Sequence, residues 1–463
     1  MALHMAVEVV RDSELSLTAQ IQSFIKREIA QGGLHPGTRL PSSRRLAHDL
    51  DVSRSVVVEA YGQLVAEGYL EASQGAGTRV VRHLAPVETV VPTLLDEDCT
   101  PDVRWDLRPG GANLPPFPRA EWLTCYERAV RAAAPSAHAC PSPAGDPVLR
   151  LELARYLGRA RGVRTTPAQI LVLGGFSGAL GLLCGVLRRA GADAIGVEDP
   201  GHPGQRRFAE ECGMRPVPLP VDEAGLDVAA LAATGLRAVL VTPAHQYPTG
   251  VTLHEERREA LVRWARDTGG LIIEDDYDGG LWYARGPRPL ALQRRAPEHV
   301  VYAGTAGTCL APGLRLGWLA APEELVGRLL RERARYDLGG ETLTQLAFAE
   351  LLRSGLLDRH LRRLNSQVRS RREALDEAVR RHLPGAAVLG PAAGLHAYLR
   401  LPRHTDEGAL VAGALRRSVA VRGGAAFRAR TRPGAPALVL SHAHLPRSGI
   451  TEAVRTLGEL TRR

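Results

Sequence analysis

Five short apolar runs between residues 169 and 305, QILVLGG, AIGVEDP, AVLVTP, LIIEDD and VVYAGT, alternate with stretches of helical spacing. Each run is long enough for one strand and shows no apolar-polar alternation, so each strand must be covered on both faces. Helices between successive strands supply that cover, and an α/β domain with a mostly parallel sheet is the simplest arrangement. In such sheets ligands sit beyond the carboxyl ends of the strands, where this chain carries polar or glycine-rich residues. At 463 residues the chain is too long for that core alone, and a second domain is expected.

The first eighty residues read differently. Ile21, Phe24, Ile25 and Ile29 follow helical spacing from Leu17 to Gln31, where Gly32-Gly33 ends the run. LHPGTRLPSS turns on Pro36-Gly37, and Ser42 or Ser43 caps a short helix carrying Leu46, Ala47 and Leu50. Ser53 caps the next, SRSVVVEAYGQLVAEG, with Val57, Tyr61, Leu64 and Val65 facing inward. Two helices joined by DLDVS form a helix-turn-helix. YLEASQGAGTRVV then forms two strands around a glycine-rich turn, as a wing requires. The expected organisation is a winged helix-turn-helix over 11–82, a proline-containing linker over 83–104 and the α/β domain over 105–463.

No run of about 18 uncharged apolar residues occurs, and no secretory leader is visible, so a cytoplasmic protein with no membrane partner is expected. The six cysteines show no CxxC spacing, which argues against a zinc site or a disulfide framework. The formal charge of +9 does not locate a nucleic-acid surface: residues 11–82 hold nine Lys or Arg and eight Asp or Glu, a net of 9 − 8 = +1. Lys26 is the only lysine in the chain, so no side-chain amine exists beyond it.

The second helix of the pair is placed to enter the major groove with Ser53, Arg54 and Ser55 toward the bases, while Arg44, Gln74, Gly75 and Thr78 reach phosphates. Helical periodicity alone fits a three-helix packing unit equally well. The motifs PGxxLPSSR, VSR and EGxL, in that order, resemble the GntR-type winged helix. That resemblance implies double-stranded operator DNA as partner and Arg44, Ser53, Arg54, Ser55 and Gly75 as contacts.

Beyond Trp105 the series DPVLRLELARYLGRARGV, EDPGHPG, TPAHQYPTGVTL, IIEDDYDGGLWY and GTAGTCLAPGLRLGWLAAP resembles the fold-type I aminotransferase-like domain of MocR regulators, a GntR subfamily that senses ligands through pyridoxal phosphate. The resemblance implies that Asp275 pairs with the pyridine nitrogen, that Tyr277 contacts the ring hydroxyl with His245 and Gln246 nearby, and that Arg315 and Thr305 hold the phosphate. An ion pair or helix cap is the structural alternative for the Asp275-Asp276 pair. The phosphate loop reads GGFSG, with Phe176 and Ser177 where small residues are usual.

The departures are as informative. Where MocR proteins usually carry a lysine in GT-F-S-K-T-L-A-P-G-L-R, this chain has Thr308, so pyridoxal phosphate cannot be held covalently there. The ring-stacking tyrosine is replaced by His202, and the arginine that binds an amino-acid carboxylate is replaced by Val439. The leading expectation is a transcription regulator whose aminotransferase-like domain binds an unidentified small-molecule effector without covalent cofactor, in a pocket walled by Phe176 and Trp282. Noncovalent pyridoxal phosphate and a working aminotransferase are the alternatives. The resemblance also implies a head-to-tail homodimer.

Overall fold

In the amino-terminal unit, Ile21 and Ile25 of α1 (Leu17–Ala30), Leu46 and Ala47 of α2 (Ser43–Asp49) and Val57, Ala60, Tyr61 and Leu64 of α3 (Arg54–Ala66) are buried against one another. Val65 is 36% exposed, contrary to the inward-facing expectation, because the short α3 buries only one stripe. Ser42, not Ser43, caps α2 by accepting from the Arg45 amide. Ser53 stands at the N-cap of α3 without a capping bond; its Oγ lies 2.7 Å from the Ser55 Oγ. β1 (Leu70–Ser73) and β2 (Gly77–Val80) pair antiparallel, and Leu70 and Val80 join the helical core.

The computed structural model describes residues 9–11, 13, 15–73, 77–81, 103–110, 116–337, 339–429 and 434–462, in two units, Met1–Thr100 and Pro101–Arg463. Gln74 and Gly75, and nearly all of the expected linker, lie outside the described residues.

In the larger unit, β3 (Trp105–Asp106) pairs with a strand near the carboxyl terminus. The main sheet has eight strands: β4 (Ile170–Leu173), β5 (Ala194–Asp199), β6 (Arg215–Asp222), β7 (Gly225–Leu226), β8 (Ala238–Val241), β9 (Leu271–Asp275), β10 (Val300–Thr305) and β11 (Gly317–Ala320). Their order is β4-β11-β10-β9-β8-β5-β6-β7. β6, β5, β8, β9 and β10 run parallel; β11 is antiparallel to both neighbours and β7 to β6. The five apolar runs are five of these strands, and the sheet is mostly parallel as the sequence pattern requires.

Alternation along β4 shows why the runs are uniformly apolar: Ile170 and Val172 enter one core, Leu171 and Leu173 the core on the opposite face. The first core is covered by helices that include α4 (Arg119–Ala132) and α5 (Pro147–Arg161). α5 starts at the Asp146 cap with Pro147 at its first turn and ends at Gly162, whose φ of 71° suits glycine. The second core is covered by α6 (Phe176–Arg189), flanked by α7 (Pro203–Glu211). A smaller sheet of β12 (Ala387–Val388), β13 (His396–Arg400), β15 (Arg422–Gly423) and β16 (Ala437–Ser441) has the order β12-β13-β16-β15, while β14 (Val419–Ala420) is the partner of β3. Among the described residues no helix is long and apolar enough to cross a membrane.

Candidate functional site

On the winged helix, Arg44 at the start of α2 and Ser53, Arg54 and Ser55 at the start of α3 are all exposed, so the expected contacts are accessible. Arg54 Nε donates to Ser43 Oγ at 3.3 Å, and the buried Tyr61 hydroxyl donates to the Pro41 carbonyl at 3.0 Å, tying α3 to the LPSS turn. Thr78 is half-buried in β2.

In the larger unit, the carboxyl ends of β4, β5, β8, β9 and β10 converge on a cavity of about 310 Å³. Asp275 ends β9 and lines it. Gln205 of α7 donates from Nε2 to Asp275 Oδ2 at 2.8 Å, while the buried Oδ1 has no partner among the described residues. Burial is the main reason that the Asp275 pKa rises to about 8; Asp276, Asp278 and Glu198 push the same way and Gln205 opposes. Asp276 serves another purpose: it pairs with the buried Arg161 at 2.5 Å and accepts from the Tyr302 hydroxyl at 2.6 Å. The two adjacent carboxylates thus divide, one into an ion pair beneath the sheet end and one into the cavity.

At the β4 end, Gly175 adopts φ 93° and α6 begins at Phe176, which lines the cavity. Gly175 has no side chain with which to cap that helix, so the first-turn amides are available to an anion. The Arg315 guanidinium lies 3.5–3.7 Å from where a Cβ on Gly175 would stand, an ordinary contact distance, so it is the φ of 93° and not space that calls for glycine there. Among the described residues Arg315 makes no ion pair and has no side-chain hydrogen bond. Thr305 lines the same wall, accepting from the Gly307 amide at 3.0 Å. Thr308 also faces the cavity, and a hydroxyl is all it offers there.

Tyr277 and His202 complete the pocket with Tyr247. His202 stacks on Tyr247 with ring centroids 5.1 Å apart, and Tyr247 meets Tyr277 edge-on at 5.7 Å. His202 Nδ1 accepts from the Gln205 amide at 3.3 Å, which leaves its Nε2–H as a donor. Burial lowers the His202 pKa to about 4, so the ring is neutral near pH 7.

Several expected lining residues stand elsewhere. Ser177 is exposed on the outer side of the helix start and lines a different surface cleft with Arg188 and Tyr336, because successive residues at a helix start diverge by about 100°. His245 and Gln246 lie beneath the cavity. His245 Nδ1 is 2.6 Å from Asp278 Oδ2 and 3.0 Å from the Tyr277 hydroxyl, which donates to the His245 carbonyl at 3.1 Å. Gln246 donates to Glu198 and to the Pro200 and Tyr247 carbonyls, and its Oε1 accepts from Thr249. Both shape the TPAHQYPTG loop that presents Tyr247. Trp282 does not line the cavity, and Val439 is buried against Tyr398 and Phe427. Tyr247, Gln205, His396, Ser441 and Leu395 line it without having been anticipated. Tyr247 sits within a motif already singled out and Ser441 two residues beyond Val439 in another; the other three carry no local signal.

Residues 111–457 match the family model described as aminotransferase class I and II, and residues 17–80 match that of the bacterial regulatory proteins of the gntR family. The HTH-type pyridoxine biosynthesis transcriptional regulator PdxR of Corynebacterium glutamicum is 37% identical over 84% of this chain and 84% of its own length. The probable rhizopine catabolism regulatory protein MocR of Rhizobium meliloti is 30% identical over 81% and 79%. This chain is a MocR-type transcription regulator. Its MocR-type large domain has the fold of the multiple substrate aminotransferase of Thermococcus profundus, with a TM-score of 0.71 and 26% identity over 79% of this chain and 92% of that one. The alpha-aminoadipate aminotransferase LysN of Thermus thermophilus, solved with N-(5'-phosphopyridoxyl)-L-leucine, scores 0.69 with 28% identity over 78% and 92%. The GntR domain makes DNA the regulator's partner, and the aminotransferase family to which the large domain belongs normally binds pyridoxal phosphate.

Measured against that cofactor, the cavity fits at two points and fails at a third. Asp275 Oδ1 is an unpartnered buried acceptor suited to a protonated ring nitrogen, and Arg315 beside the α6 start suits a phosphate. No lysine stands in the domain to hold the cofactor covalently, Lys26 being the only one in the chain, and Thr308 on the cavity wall has no amine.

Proposed function

We propose that this MocR-type regulator senses a small-molecule effector reversibly in the cavity around Asp275, and that its large domain is not a transaminase. The observation that carries the reading is the pairing of a preserved anchor set with a lost reactive group: Asp275 and Arg315 are poised for a ligand, while Thr308 has neither an amine to bond a cofactor nor a base to move its protons. Tyr277, Thr305 and the first turn of α6 orient the ligand; Phe176 and the His202–Tyr247 stack supply apolar walls. Binding at the junction of the two sheets biases one arrangement of the large domain, and hence of the DNA-binding arms, over another. A head-to-tail homodimer presenting two winged helices to paired half-sites accords with this reading, and scattering in solution on the full chain tests it.

The test is operator binding by full-length protein at fixed salt, with metabolite fractions added. Loss of the response in Asp275→Ala, with ligand-free affinity unchanged, is the expected result; the same response in wild type and variant contradicts the proposal.

A second reading, noncovalent pyridoxal phosphate as the effector, is favoured by the unpartnered Asp275 oxygen and by a relative named for pyridoxine biosynthesis regulation. When bound, the cofactor would supply an electron-withdrawing ring; Asp275 would hold the ring-nitrogen proton and Arg315 and Thr305 the phosphate. Equilibrium dialysis separates the readings: saturable uptake that washes out, and that Arg315→Gln weakens, supports the second, while no uptake leaves a different effector.

A further inference from the structure

The smaller sheet turns one face to the cavity, and that face carries a cation which none of the sequence motifs includes. His396 pairs with Ser441, Tyr398 pairs with Val439, and Val439 pairs on its other side with Arg422. Cross-strand partners, and residues two apart along one strand, share a face, so His396, Tyr398, Ser441, Val439 and Arg422 all project from the same side. His396 and Ser441 line the cavity, while Val439 and Tyr398 pack with Phe427 against Tyr247, which lines it too. The face therefore leads from the cavity wall into the corner formed by Tyr247 and His202, with half-buried Arg422 on the outermost strand.

The electrostatics of that corner agree. Burial is the main cause of the raised Tyr247 pKa and of the lowered His202 pKa; Arg206 and then Arg422 add to the depression at His202, and Arg422 opposes the rise at Tyr247. The Arg422 charge thus reaches both rings of the stack. Val439, its neighbour across the strand, is apolar and offers no donor. Arg315 lies on the other wall, against Gly175.

Resting on the reading of the cavity as an effector site, we infer that Arg422 forms a carboxylate subsite at the His202–Tyr247 corner. The effector then carries a carboxylate there and a phosphate or comparable anion at the Arg315 end. The subsite is supplied by β15, whereas the position it serves in place of, Val439, lies on β16. A planar guanidinium is suited to a two-point grip on a carboxylate, and the neutral His202 ring beside it adds no competing charge.

Two probes isolate the carboxylate. N-(5'-phosphopyridoxyl)-L-leucine carries a phosphate, a ring nitrogen and a carboxylate and needs no lysine to bind; N-(5'-phosphopyridoxyl)-3-methylbutylamine is the same molecule without the carboxylate. Calorimetric titration of the full-length protein is expected to show the leucine probe binding on the order of ten-fold more tightly, the scale of one charge-assisted hydrogen-bonded pair. Arg422→Gln should erase that preference while leaving the amine probe's affinity unchanged, and Arg422→Lys should restore part of it. A preference that survives in Arg422→Gln, or no preference in wild type, overturns the assignment while leaving the cavity as a binding site. If neither probe binds folded wild-type protein, the effector bearing both a phosphate and a carboxylate is overturned, and the cavity is left for an effector of another class.

Discussion

The winged helix and the cavity of the larger unit have kept different things. In the first, the elements that make the fold and the residues proposed to meet DNA both follow the family's motifs, from the Ser42 cap to the exposed Arg54. In the second, the fold is present without an amine to bond a cofactor: the sheet, the glycine-led α6 and Asp275 are in place, and the domain contains no lysine. A fold rests on apolar surface distributed over many residues, so it tolerates single substitutions. A covalent reaction rests on one nitrogen atom and does not.

Predictions that test this contrast start with the frame of the cavity. Arg161→Ala leaves Asp276 as an uncompensated buried charge and should destabilise the larger unit by about 3–5 kcal/mol, seen as a lower denaturant midpoint. An effect below about 1 kcal/mol would show that Asp276 is not held by that pair. On the DNA side, Arg54→Ala should weaken specific operator binding by about 1–3 kcal/mol without altering the melting temperature. Equal affinity for wild type and variant at one salt concentration would place the recognition surface elsewhere.

The cavity's carboxylate gives a smaller, pH-dependent effect. Asp275 titrates near 8 in the folded protein, and Glu198 and Glu274 near 7, all raised chiefly by burial. The folded state therefore holds protons that the unfolded chain has released above about pH 4, the ordinary carboxyl range. Their contribution is complete below that pH and is lost as pH rises through 7 and 8, with a slope of at most about 1.4 kcal/mol per pH unit for each group. Asp275→Asn should flatten the fall in stability between pH 6 and 8.5; an unchanged slope in unfolding titrations would mean that Asp275 is already ionised. The smallest effect is expected from Tyr61→Phe, which removes the bond to the Pro41 carbonyl and should cost about 0.5–1.5 kcal/mol in the winged-helix transition. No change there would mean that water replaces the bond freely.

What could be read from the sequence follows the range of the interactions involved. Strand runs, caps and the helix-turn-helix depend on neighbours within a few residues, and the class of fold followed from them. Asp275 was legible because a strand end places it; the different fate of Asp276 was not, because Arg161 lies 115 residues away in the chain. His245 and Gln246 were assigned to the cavity, yet the loop fold turns them under it and Tyr247 into it. Ser177 was grouped with Phe176 although one step around a helix separates their directions. Gln205 and His396 come from segments without any motif, and Ser441 from the strand read only for Val439; the assembled fold brings all three to the cavity with Asp275.

The most direct measurement is the operator affinity of the full-length regulator, titrated at fixed salt with and without the small-molecule fraction of a host-cell extract, for wild type and for Asp275→Ala with Arg315→Gln. The account predicts that the fraction shifts wild-type affinity several-fold, while the double variant binds operator as ligand-free wild type does and ignores the fraction. A double variant that responds like wild type would contradict it and put the sensing site outside this cavity.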